Sequence, residues 1–140
     1  MKISKLTHGN IRPYGWIIDS RCVKDPGYDN RFGILLKERS KGWRIGYLIV
    51  REASIKRLES HPDSLETFEP VKGRAIIALA GRRTPGKPRV FLLDKPVVLK
   101  KGIWHDVAAV SRSRRCEIKI FENIEVKTEY FPLKKPVVVG

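Results

Sequence analysis

Three side chains able to trade protons or bind a metal, Glu59, His61 and Glu66, stand within eight residues, and His105 follows 39 positions after Glu66. Carboxylates and imidazoles together supply a general base and a general acid. As oxygen and nitrogen donors they also suit a divalent cation, so Glu59, His61, Glu66 and His105 form the ligand set if a metal is used. In an extended segment residues i and i+2 point to the same side, which lets Glu59 and His61 look into one cavity. The clusters read Glu59-x-His61-x4-Glu66-x6-Gly73 and Gly102-x2-His105. Taken singly, each piece also suits a plainer role. His61 precedes Pro62 and could close a turn, Glu59 and Glu66 could be solvated loop acids, and His105 could be a hydrogen-bonded core residue.

Strands must position these groups. Short runs rich in Val, Ile, Leu and aromatics, bounded by Gly, Pro, Asp or charged turns, lie at 14–19, 33–38, 43–52, 73–80, 89–94, 96–100, 104–110, 116–123 and 126–131. Their even spacing predicts one all-β domain over 1–140, an antiparallel barrel or jelly roll. Trp43, Ile45, Tyr47 and Ile49 fall on one face and Glu117, Lys119 and Phe121 alternate against Ile118, Ile120 and Glu122, the pattern of strands with one face buried. Helical spacing is weak; Ile55 and Leu58, three apart, allow at most one turn before Pro62. Arg51 ends an apolar run and, if it faces inward, could grip a substrate carboxylate with two parallel hydrogen bonds. Of Lys100 and Lys101, alternation turns one inward without saying which, and Lys101 is taken as the candidate. Trp104 is either core or a wall of the binding site, and Asp106 alternates away from His105, toward the outside.

The net charge of +14 favours an anionic partner: a small substrate, nucleic acid or an anionic surface. The basic residues gather at 81–89, 111–115 and 132–136 without interleaved aromatics for base stacking, so they read as hairpin loops and tail, and nucleic acid is disfavoured. No apolar run approaches the roughly 20 residues that cross a bilayer, and no signal-like segment follows the first lysines, which makes the cytoplasm the expected compartment. Two cysteines, Cys22 and Cys116, build no zinc or disulfide pattern and read as buried thiols. The absence of Gln and scarcity of Asn beside abundant Lys, Arg and Glu point to a heat-adapted protein.

The two spacings resemble the paired motifs of the cupin superfamily, with Glu59 where the first motif usually has its leading His, and Gly102 and His105 in the second. The resemblance implies a cupin-like jelly roll, or double-stranded β-helix, that brings the four side chains together. Along most of the chain, Arg51 and Ala53, Glu59, His61 and Pro62, Phe68, Pro70 and Gly73, and the run Gly102 to Asp106, resemble the ureidoglycolate lyase family. That family cleaves ureidoglycolate to glyoxylate and urea in purine catabolism. The resemblance implies a homodimer, a small anionic substrate held by Arg51, Lys101 and Trp104, and acid–base work by His61, His105, Glu59 and Glu66, with a divalent metal as an open alternative. His61 or His105 would take the hydroxyl proton; Glu59 or Glu66 would orient it or protonate the leaving nitrogen. Asp106 stands where the family tends to carry a second His. Two rival readings are a cupin that binds another small carboxylate or sugar acid, and a small basic β-barrel that binds nucleic acid.

Overall fold

The computed structural model describes residues 2–25, 27–110 and 115–138. Eleven strands carry the chain: β1 (Ile3–Lys5), β2 (Gly15–Ile17), β3 (Trp43–Val50), β4 (Ser54–Ser60), β5 (Glu66–Lys72), β6 (Ala75–Ala80), β7 (Arg89–Leu93), β8 (Val97–Leu99), β9 (Trp104–Ala109), β10 (Cys116–Asn123) and β11 (Glu129–Val138). One short helix, α1 (His8–Ile11), is started by a capping box between Thr7 and Asn10. The strands form a six-stranded sheet, β1-β7-β6-β9-β4-β11, and a five-stranded sheet, β2-β8-β5-β10-β3. All pairings are antiparallel except β1 on β7. The all-β jelly roll read from the sequence holds in the form of two facing sheets.

Alternation builds the core between them. Ala75, Ile77 and Leu79 of β6 and Val107 and Ala109 of β9 meet Phe68 of β5, Leu99 of β8 and Ile118 of β10, all buried. The other faces of β6 and β9 are buried as well. Ile76, Ala78, Ala80 and Ala108 join Ile55 and Leu58 of β4 and Val137 of β11 in a second cluster on the back of the six-stranded sheet. Strands buried on both faces read as continuous apolar runs, which is why 75–80 shows no polar residue.

Four expectations change. Residues 54–60 form β4 rather than a helical turn; Ile55 and Leu58 both join the back cluster where pairing with β11 jumps from Pro132 to Val137. Residues 33–38 form no strand, and Leu35 and Leu36 instead line an apolar pocket with Trp43 and Phe121 against the outer face of the five-stranded sheet. The cluster at 132–136 belongs to β11 rather than to a tail, and 81–88 is the β6–β7 hairpin loop. The face of β3 carrying Trp43, Ile45, Tyr47 and Ile49 is the exposed one; Val50 and Leu48 pack inward. Cys116 is buried as expected, and a fifth expectation changes at Cys22, which is only half-buried. Residues 111–114 of the second basic cluster lie outside the described residues. Among the described residues, no helix is long and apolar enough to cross a membrane.

Candidate active site

Glu59 near the end of β4 lies directly opposite His105 of β9. His61 follows β4, and Glu66 opens β5 opposite Leu99 and Glu122. Gly102 makes the approach to β9 possible: its φ of +77° is a left-handed conformation that suits glycine, and its N–H donates to the His61 carbonyl at 2.9 Å. That bond fixes the two histidine segments to each other.

The four side chains meet in a pocket of about 270 Å³. Nε2 of His105 is 2.9 Å from Glu66 Oε1 and 3.7 Å from Glu59 Oε1; Nε2 of His61 is 3.3 Å and 3.8 Å from the same two atoms. The imidazole centroids are 5.1 Å apart, and Phe68 packs edge-on against His105. Both outer ring nitrogens are spoken for. His105 Nδ1 lies 2.9 Å from the Ile103 carbonyl, and His61 Nδ1 lies 3.0 Å from the Lys127 carbonyl with Thr128 Oγ1 at 3.3 Å. A carbonyl can only accept, so each Nδ1 carries its hydrogen and each Nε2 faces the pocket.

Burial by itself would depress His105, yet the Glu59 and Glu66 carboxylates outweigh it and push its pKa up to about 10. His61 is raised against its own burial, chiefly by Glu66. Burial would raise Glu66, but the imidazoles of His105 and His61 close to its carboxylate hold it far below the usual carboxylate range; Glu59 is lowered chiefly by His105. Without a cation the cluster therefore favours imidazoliums against carboxylates.

The same atoms fit a divalent cation. His105 Nε2 and Glu66 Oε1 are buried, and despite their short separation neither has a properly angled hydrogen-bond partner. Glu59, His61 and His105 offer donor atoms within 4.8 Å of one another, as do His61, Glu66 and Glu122. Nitrogen and carboxylate donors, with each histidine oriented through its other nitrogen by a carbonyl, are the first and second shells a divalent ion takes.

The structure brings Glu59, His61, Glu66 and His105 together and leaves other expected residues apart. Arg51 is exposed in the β3–β4 connection, one residue past the strand end, and does not line the pocket. Lys101 pairs with Glu38, and Lys100 donates to the Arg12 carbonyl at 2.7 Å; neither lines the pocket. Trp104 alternates to the back of the six-stranded sheet, where its Nε1 donates to the Arg82 carbonyl at 3.1 Å. Asp106, expected outside, is half-buried and lines the pocket's edge; burial raises its pKa to about 6, and its Oδ1 accepts from Val107 N at 2.8 Å.

Two pocket residues escaped the sequence reading. Arg44 of β3 pairs with Glu122 of β10, Nε and one terminal nitrogen reaching the same Oε2 at 2.9 and 2.8 Å. Among the described residues Arg44 is the permanently charged cation lining the pocket, and its remaining N–H groups are open to a second anion. Glu122 is raised by burial and then by Glu66. The only advance signal was the in/out alternation of β10, which put Glu122 on the side of Ile118 and Ile120.

No family model matches the chain. The structure is similar to the crystal structure of a dTDP sugar isomerase from Desulfovibrio desulfuricans G20, with a TM-score of 0.56, 14% identity, and 80% of this chain and 82% of that one covered. Procruciferin, an 11S globulin of Brassica napus, gives a TM-score of 0.50 at 9% identity, over 62% of this chain and 22% of that one. The fold is that of a cupin. In sequence, this cupin-fold chain is similar to the ureidoglycolate lyases of two Rhizobium etli strains. It is 25% identical to that of strain CFN 42 and 26% identical to that of strain CIAT 652, with 75% of this chain and 74% of the relative covered in each case.

Proposed function

We propose that the pocket cleaves ureidoglycolate to glyoxylate and urea by acid–base elimination. The observation that supports it most is the pair of imidazoles, each anchored through Nδ1 to a backbone carbonyl and each presenting Nε2 to the same two carboxylates. The reaction needs what such a pair supplies. A base takes the carbinol hydroxyl proton as the C=O bond forms, the C–N bond breaks, and an acid returns a proton to the departing urea nitrogen. His105, pushed furthest up, stays imidazolium and acts as acid, and His61 acts as base once it has given up its own proton. Glu66, between both rings, holds their combined charge, and the half-exposed Glu59 faces the entering substrate. Arg44 replaces Arg51 as the proposed carboxylate clamp, since it lines the pocket. A divalent cation held by Glu59, His61 and His105, with Glu66 beside both rings, would supply Lewis-acid polarisation of a substrate oxygen.

The test is release of urea and glyoxylate from ureidoglycolate by purified protein, measured before and after dialysis against a chelator with metal restored. Turnover is expected. A folded protein that binds glyoxylate but releases no urea moves the assignment to a cupin acting on another small carboxylate. The composition, together with this reading, supports a heat-adapted cytoplasmic enzyme of purine breakdown.

A homodimer is part of the same proposal. β3 is the edge of the five-stranded sheet and exposes Trp43, Ile45, Tyr47 and Ile49, flanked by Phe121 and Val71. These six expose on the order of 700 Å², close to the roughly 800 Å² per partner of a standard interface. Charges on this face are paired, Lys119 with Glu69 and Arg115 with Glu117, so a second copy meets a neutral surface despite the chain's +14. Sedimentation should give a dimer at micromolar concentration and a monomer for Tyr47→Glu; a monomeric wild type ends this part of the proposal.

A further inference from the structure

A cleft of about 820 Å³ lies away from the histidines, between the β6–β7 hairpin loop and β11. Phe131, Leu133 and Val137 form an apolar floor, and Arg83, Lys87, Lys134 and Lys135 surround it. No carboxylate lines it, and none of the four cations takes part in a salt bridge among the described residues. Four like charges around one cavity repel each other, and an anion placed among them relieves that repulsion. The site is built rather than fortuitously basic. Two successive turns, Thr84 N–H to the Gly81 carbonyl and Lys87 N–H to the Thr84 carbonyl at 3.0 Å each, shape the hairpin, with Pro85 and Pro88 stiffening it. On the other wall the pairing of β11 with β4 breaks between Pro132 and Val137, which frees Lys134 and Lys135 to stand beside the cleft.

We propose that this cleft binds a small organic phosphate, its apolar body on the Phe131–Leu133 floor and its phosphate among Lys134, Lys135, Arg83 and Lys87. A volume near 820 Å³ lies in the range of small-molecule sites and far exceeds what an inorganic anion fills. The apolar floor adds binding that a bare phosphate cannot use. A phosphate dianion, with several acceptor oxygens, matches a multiple-cation rim better than a carboxylate does. A nucleic-acid strand would need a stacking track of aromatics, and Phe131 is the one aromatic lining the cleft.

Fluorescence titration with 1-naphthyl phosphate tests the site. Saturable 1:1 binding is expected, at least tenfold tighter than for inorganic phosphate or 1-naphthol as competitors. Lys134→Glu with Lys135→Glu should weaken it at least tenfold, Lys134→Arg with Lys135→Arg should retain it, and His105→Ala should leave it unchanged. Unaltered circular dichroism would show that the exposed charge reversals have not unfolded the chain. The proposal is overturned if the charge-reversed protein binds equally well, if inorganic phosphate or naphthol competes as strongly as the conjugate, or if His105→Ala abolishes binding. Binding of anionic vesicles or an oligonucleotide without binding of naphthyl phosphate would also overturn it.

Discussion

The histidine pocket and the β6–β7/β11 cleft treat charge in opposite ways. In the pocket, four of the chain's fifteen acids, Glu59, Glu66, Asp106 and Glu122, crowd around two imidazoles and Arg44, largely out of water. In the cleft, four cations stand exposed over an apolar floor with no acid among them. A strongly basic chain thus concentrates acids around its two buried imidazoles and leaves its excess positive charge on the outside. Net charge describes how such a protein meets anions at a distance, while the buried minority charge marks the candidate site.

The contrast can be broken most severely at the histidines. His61→Ala and His105→Ala should each lower ureidoglycolate cleavage by roughly 10²–10⁴-fold, the usual contribution of a placed acid or base. The double variant should lose much less than the product of the two, because both act on one proton path. Full activity in both single variants would remove the acid–base proposal. Next comes Glu66→Ala, which strips the shared counter-charge from two buried imidazoles. Removing one partner of a buried pair costs on the order of 3–5 kcal/mol, so urea denaturation should show a loss of that size, and a loss below about 1 kcal/mol would mean that the pair is already solvated.

Arg44→Met sharpens the comparison at the pocket's edge. KM should rise about tenfold or more with kcat nearly unchanged, the mark of lost uniform binding, while Arg51→Met should move neither. Equal effects at both positions would undo the assignment of the clamp to Arg44. The smallest effect belongs to the outside charge: replacing Arg112, Arg114 and Arg115 together with Ser should leave small-carboxylate binding within about twofold, since surface substitutions generally act weakly. Arg112 and Arg114 lie outside the described residues, and Arg115 pairs with Glu117 on the outer face of the five-stranded sheet, away from the pocket.

Much of this site could be read from the chain because its chemistry is local in sequence. Glu59, His61 and Glu66 sit in one segment, and Gly102 marks the turn that delivers His105. Arg44 and Glu122 gave no such mark. They meet because β3 and β10 pair in one register, across 78 positions, and no local pattern announces that register. Alternation in 43–50 identified a strand but could not tell which face the chain would cover. The same limit explains 33–38, whose leucines are apolar because they lie against a sheet and not because they form a strand of one. Arg51 follows from the same limit: it shares the parity of Trp43, Ile45, Tyr47 and Ile49, the side that the sheet leaves exposed.

β9 is joined to β6 through six successive residue pairs, from Ala75 with Ala109 to Ala80 with Trp104, but its register with β4 runs through Glu59 and His105. Glu59 and His105, whose side chains meet in the pocket, thus also form a backbone rung between two halves of a sheet. A seam with so few rungs opens at lower cost than its neighbour, so amide hydrogens around residues 59 and 105 should exchange with deuterium sooner than those of 75–80. Anything that engages both groups at once also closes the seam. Occupancy of the pocket can therefore be read, without any turnover, as slowed exchange along the β4–β9 line.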